Sequence, residues 1–114
     1  MKKIKFGDIG NFEGTEFLET VLCGRGNFRL ERILSKSSAS PEGFWYDQPG
    51  AEFALVLEGF AELEGADGSR LVLGKFEGVF IPPHFKHRVA FTSQNCLWLA
   101  LLANEMKGDK NIFA

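Results

Sequence analysis

The sequence predicts an all-β domain. The chain of 114 residues carries twelve Phe and thirteen Gly, a pairing that suits short strands and tight turns better than long helices. Its apolar residues fall in short runs closed by Gly, Pro, Asn or Asp, the spacing of an all-β sandwich or barrel. Only the tail Ala103–Lys107 tolerates a helix. An up-and-down ligand-binding barrel and a jelly roll both suit this pattern.

Taken in order, Thr15 to Cys23 is the first apolar run, ended by Gly24, Gly26 and Asn27. Phe28 to Ser35 follows, with Phe28 and Leu30 on one face and Arg29 and Glu31 on the other. Ser35 to Pro41 is polar and ends in Pro, so it reads as a loop. Phe44 to Gln48 reads as a strand before the Pro49-Gly50 turn. Phe53 to Leu57 is the clearest strand, and Phe60 to Glu64 and Arg70 to Leu73 form a hairpin around Gly65–Ser69. Val79 to Ile81 runs into Pro82-Pro83. His87 to Phe91 alternates, with Val89 and Phe91 on the His87 side, and Leu97 to Leu102 is continuously apolar, as in a strand buried on both faces.

Composition sets the boundaries. With 45% hydrophobic and 25% charged residues the chain can bury one core, and its length leaves no room for a second. A net charge of −2 and the lack of a basic stripe exclude nucleic acid as an expected partner. Lys2, Lys3 and Lys5 are followed by Gly7, Asp8, Gly10 and Asn11, not by the apolar stretch of a signal peptide. No run is long enough for a membrane span. Cys23 and Cys96 make no disulfide framework and are expected as free, buried thiols. These features predict a cytoplasmic protein.

Two segments can carry chemistry. Gly43 to Glu52 sets Phe44, Trp45 and Tyr46 beside Asp47, Gln48 and Glu52; on a regular strand Phe44, Tyr46 and Gln48 share one face, while Trp45 and Asp47 share the other. The same pattern suits a half-buried strand with an aromatic core face. Glu77 to His87 contains both histidines, His84 and His87. Their spacing is not the i, i+4 spacing of helix-borne metal sites, and two turn histidines would look the same. Arg88 should face outward, Trp98 should be core or interface, and Glu13, Glu16 and Glu19 should form a solvated acidic face. No nucleotide fingerprint, nucleophile elbow or Cys-x-x-Cys is present, so no organic cofactor is indicated.

Together these segments resemble the cupin superfamily. Its first motif has the form Gly-x5-His-x-His-x3-4-Glu-x6-Gly, and Glu52 followed by Gly59 is similar to its second half. Counting back from Glu52 puts Gln48 and Tyr46, or Asp47 and Trp45, where the His pair would stand. The second motif has the form Gly-x5-Pro-x-Gly-x2-His-x3-Asn; Pro82 and His87 match it, with Phe76, His84 and Phe91 in place of Gly, Gly and Asn. Ser40 to Gln48 and His87 to Val89 resemble the small single-domain cupins of the cupin 2-like bacterial type.

The resemblance implies one domain over residues 1–114: a jelly-roll β-barrel of two antiparallel sheets, with an N-terminal extension (1–25) and a motif region (41–91). It also implies a divalent metal held by three His and one Glu. Here only Glu52 and His87 remain as strong ligands. Gln48 offers a carbonyl oxygen, which suits hard cations. Tyr46 is a poor ligand while protonated. Asp47 and His84 are the further metal candidates.

Two expectations follow. Either Gln48, Glu52 and His87 hold one divalent ion, or Glu52 and His87 form an acid–imidazole pair without tight metal. The chain is expected to bind a small polar ligand in a pocket of Phe44, Tyr46, Gln48, Glu52 and His87. The alternative is a metal- or acid/base-dependent enzyme of isomerase, decarboxylase or dioxygenase type, with Glu52 and His87 as catalytic candidates. A homodimer is expected, with the N-terminal extension covering a sheet edge.

Overall fold

Alternating apolar residues become strands almost wherever turn residues flank them. A computed structural model describes residues 1–113. It contains β1 (Glu16–Cys23), β2 (Arg29–Ser35), β3 (Ala51–Glu58), β4 (Ala61–Gly65), β5 (Arg70–Leu73), β6 (Gly78–Ile81), β7 (His87–Thr92), β8 (Cys96–Ala103) and α1 (Lys110–Phe113). One sheet has the order β1-β2-β8-β3-β6 and the other the order β5-β4-β7. All pairings are antiparallel, and the two sheets form a jelly-roll barrel. No helix of the described residues is long and apolar enough to cross a membrane.

The core lies between the sheets. Val56, Trp98, Ala100 and Leu102 of the larger sheet meet Ala61, Leu63 and Leu73 of the smaller one. Trp98 donates its indole N–H to Ser35 Oγ at 3.3 Å, which satisfies a donor that burial would otherwise strand. Gly59 closes β3 at φ 78°, and a Cβ there would come within 2.6 Å of the Asn95 carbonyl oxygen.

Five expectations change. Phe44–Gln48 is not a strand: Tyr46 alone makes a bridge, exchanging backbone hydrogen bonds with His87 at 2.7 and 3.1 Å. The preceding Gly43 at φ 79° turns the chain out of extended geometry. Ala103–Lys107 is the end of β8 and a bend, while the helical turn comes later, at α1. There Phe113 packs against Phe53 and Phe80, which face out of the barrel. Phe91 does not share the face of His87. Leu63 pairs with Val89 but Glu62 with Phe91, so a bulge at Ala90 turns Phe91 outward onto Phe60. Cys23 is exposed at the end of the edge strand, and Cys96 is buried. Residues 16–23 of the expected extension are β1 itself; residues before them lie back on the same chain, where Arg32 donates to the carbonyls of Lys5 and Phe6.

The two sheets differ in width, and this shapes the site. The smaller sheet cannot cover β1 and β2 fully. Leu18, which points into the barrel, therefore stays 51% exposed. The barrel is open on that side.

Candidate functional site

Register decides which polar groups enter the barrel. Residues directly opposite one another in paired strands share a face. Ala54 lies opposite Ala100, and Ala100 opposite Glu31, so the Glu31 side chain rises on the barrel face. Trp98, Ile33 and Leu18 form the next row, and Ser35 and Glu16 the one after. Glu52 enters at the other end, between Leu102 and Ile81.

These rows line a cavity of about 70 Å³ between the sheets. A single water needs roughly 10–15 Å³ by the same measure, so the space suits a group of a few heavy atoms. Leu18, Ile33, Leu63, Val89 and Trp98 make much of its apolar wall. Its polar groups are Glu16, Glu31, Tyr46, Gln48, Glu52 and His87. The bridge at Tyr46 brings the aromatic segment to β7, where the Tyr46 and His87 rings stack with centroids 5.4 Å apart.

Sequence reading and structure can now be compared by position. Tyr46, Gln48, Glu52 and His87 come together in the cavity. Phe44 meets the Tyr46 ring in a T-shaped contact, centroids 4.8 Å apart, and does not line the cavity. Asp47 and His84 pair with each other outside, His84 Nδ1 lying 2.9 Å from Asp47 Oδ1, both exposed. Arg88 is partly buried, donating to the Ser40 carbonyl at 2.8 Å and facing Glu64 at 3.5 Å and the Trp45 ring. Glu16 and Glu31 also line the cavity, although sequence reading put Glu16 in a solvated face and gave Glu31 no role in a site. Their alternation with Leu18 and Ile33 was the available signal.

The electrostatics are those of an acidic cavity. Glu31 pairs with Arg29 at 3.1 Å and keeps its charge. Burial raises the Glu16 pKa above the ordinary carboxylate value; a hydrogen bond with Ser35 opposes this and the Glu31 charge adds to it. Burial, then the charges of Glu16, Glu52 and Glu31, raise the Tyr46 pKa, so its hydroxyl stays protonated. His87 donates from Nδ1 to the Phe85 carbonyl at 2.8 Å, because a carbonyl can only accept. Its Nε2 faces Glu52 Oε1 at 3.7 Å, beyond hydrogen-bond reach, and the two side chains are 9% and 14% exposed. Burial opposes a charge on His87, but Glu52 and the Phe85 carbonyl together outweigh it and raise the pKa.

The three-His, one-Glu metal set implied by the resemblance is not assembled here, since His87 is the only histidine of the two that lines the cavity. Among the described residues no group of three or more His, Cys, Asp or Glu is arranged to hold an ion. Asp47 and His84, the candidates that could complete a set around Glu52 and His87, are committed to each other outside the cavity.

No protein-family model matches the sequence, and neither does any curated protein. Solved structures do. A protein from Ralstonia eutropha JMP134, named as a candidate mannose-6-phosphate isomerase, is 32% identical over 92% of this chain and 100% of its own, with a TM-score of 0.83. KdgF from Halomonas sp. matches at 15% identity over 87% of this chain and 89% of its own, TM-score 0.69. A cupin 2 conserved barrel domain protein from Leptotrichia buccalis matches at 19% identity over 83% of this chain and 44% of its own, TM-score 0.69. The last two likenesses are of fold alone, while the first extends through almost the whole of both chains. With the jelly-roll barrel and Glu52 and His87 facing each other inside it, the chain belongs to the cupin superfamily as a small cupin domain.

Proposed function

We propose that the chain binds a small polar ligand inside its barrel. One observation carries this. Tyr46, Gln48, Glu52 and His87 converge on one cavity. Among these four, Glu52 and His87 face each other at 3.7 Å, while the Tyr46 hydroxyl and the Gln48 amide line the same cavity. Sites with a few convergent polar groups on an apolar wall are the usual form of small-molecule sites. A thermal-shift screen of small metabolites tests it, because ligand binding raises apparent stability. Retention of every shift in Glu52→Gln and in His87→Ala would remove these residues from the site.

A second reading has its own support. The Glu52–His87 contact pairs a carboxylate with an imidazole in a largely buried setting, the arrangement needed to move a proton on a bound metabolite. The Ralstonia relative is named for isomerisation of a phosphorylated sugar. No Lys or Arg lines this cavity, so the phosphate of such a substrate has no counter-charge inside it. Acid/base catalysis here therefore calls for an unphosphorylated substrate. Proton exchange at the α-carbon of small carbonyl compounds, followed in deuterated solvent, separates catalysis from binding.

We also propose a homodimer in the cytoplasm. Leu22 on the edge strand is 56% exposed, and the outward Leu97, Leu99 and Leu101 of β8 are only half-buried. A second copy would cover this face. Light scattering at micromolar concentration reads the mass directly, and a monomer rejects the dimer.

A further inference from the structure

His87 and Glu52 face each other in the cavity, and the protonation state of His87 decides what lies between them. With Nδ1–H given to the Phe85 carbonyl, neutral His87 has only a lone pair at Nε2. That lone pair points towards a carboxylate, which also only accepts. When His87 is neutral the two acceptors face each other across the cavity, and a ligand donor can take the place of the imidazolium N–H. We propose, building on the ligand-binding reading, that the cavity takes the ammonium group of a compact organic amine, which bridges Glu52 Oε1 and His87 Nε2, 3.7 Å apart, from the cavity side.

The geometry suits this donor. A nitrogen can lie about 2.8 Å from both atoms, the length of a charge-assisted hydrogen bond. An alkylammonium group carries three N–H donors, and Tyr46 and Gln48, which line the same cavity, supply oxygen acceptors for the third. The remaining wall around Leu63, Val89 and Trp98 receives a short aliphatic chain. Charge excludes the mirror-image ligand: a carboxylate would meet Glu52 with no Lys or Arg lining the cavity. Among the described residues no three His, Cys, Asp or Glu side chains are gathered around a metal ion's place. A neutral alcohol could donate only one hydrogen and would bring no charge.

The test is an NMR titration of the full 15N-labelled chain at about pH 8.5, where an alkylammonium is still charged. The probes are propylammonium chloride, 1-propanol, sodium propionate and magnesium chloride, with sodium chloride as the ionic-strength control. Propylammonium should saturably move the Tyr46, Glu52 and His87 signals. 1-Propanol should bind about tenfold more weakly or worse, as expected when charged hydrogen bonds are lost. Glu52→Gln should weaken propylammonium by about tenfold; if that variant does not fold, the wild-type comparison of amine with alcohol decides. Equal binding of 1-propanol, tighter binding of propionate, or saturation by magnesium ahead of the amine overturns the amine while leaving the cavity a ligand site. Silence of the cavity signals to propylammonium also overturns it, and only a silent metabolite screen as well would remove the ligand-binding reading.

Discussion

Ala100→Val separates occupancy of the cavity from stability of the fold. Ala100 is 1% exposed on β8, and its methyl lines the cavity opposite Ala54. Two added methyl groups would project into a space of about 70 Å³. Burying them stabilises by about 0.8 kcal/mol each. Imperfect fit costs about 1–3 kcal/mol. The net change should therefore lie within about 1.5 kcal/mol of zero, a shift in melting temperature of at most about 10 °C for a domain of this size. Ligand binding should be lost in the same variant. Thermal unfolding reads the first quantity and the NMR titration the second. A destabilisation above about 3 kcal/mol would mean the space beside Ala100 is already filled. A folded variant with unchanged binding would place the ligand elsewhere.

Three other outcomes are expected. The raised His87 pKa stabilises the fold below the ordinary imidazole value of 6.5, and this contribution fades as pH rises through the folded value. Denaturant unfolding across that window should show it in the wild type and a smaller effect in Glu52→Gln; an identical pH profile rejects the pairing. Ser35→Ala should destabilise by about 1–3 kcal/mol, since it strands the buried Trp98 N–H now 3.3 Å from Ser35 Oγ. A denaturant midpoint unchanged from wild type would mean that hydrogen bond contributes nothing. Cys96, buried and with its thiol pushed up to about 11, should resist alkylation in the native protein while exposed Cys23 reacts. Mass spectrometry should find one modified thiol in the native state and two after denaturation; two in the native state would show that Cys96 is accessible.

The sequence showed the barrel better than its lining. Strands β3, β4, β5 and β8 stand close to the runs read from the sequence, because each is a short apolar run closed by turn residues, a rule that needs no strict alternation. The segment around Tyr46 obeys it too, yet it is a loop held by one bridge, since partner strands and not local pattern decide pairing. Asp47 still points away from Tyr46 and Gln48 as alternation implies, which is why it reaches His84 outside. Glu16 and Glu31 escaped notice for another reason. An acidic residue on a strand looks solvated until register shows that its row faces Ala100 or Ser35. Phe76 and His84 stand where the family motif has Gly, and both adopt positive φ, at 63° and 59°. The backbone keeps the shape of the motif where the side chains have departed from it, at a cost of about 1–2 kcal/mol each.

Trp98 also gives the molecule an optical property. It is buried in the wall of the cavity, whereas the chain's other indole, Trp45, stacks near the Arg88 guanidinium outside it. A ligand settling beside Trp98 changes the surroundings of one indole and leaves the other alone. The intrinsic emission of the unlabelled protein therefore records filling of the barrel, with Trp45 as its internal reference.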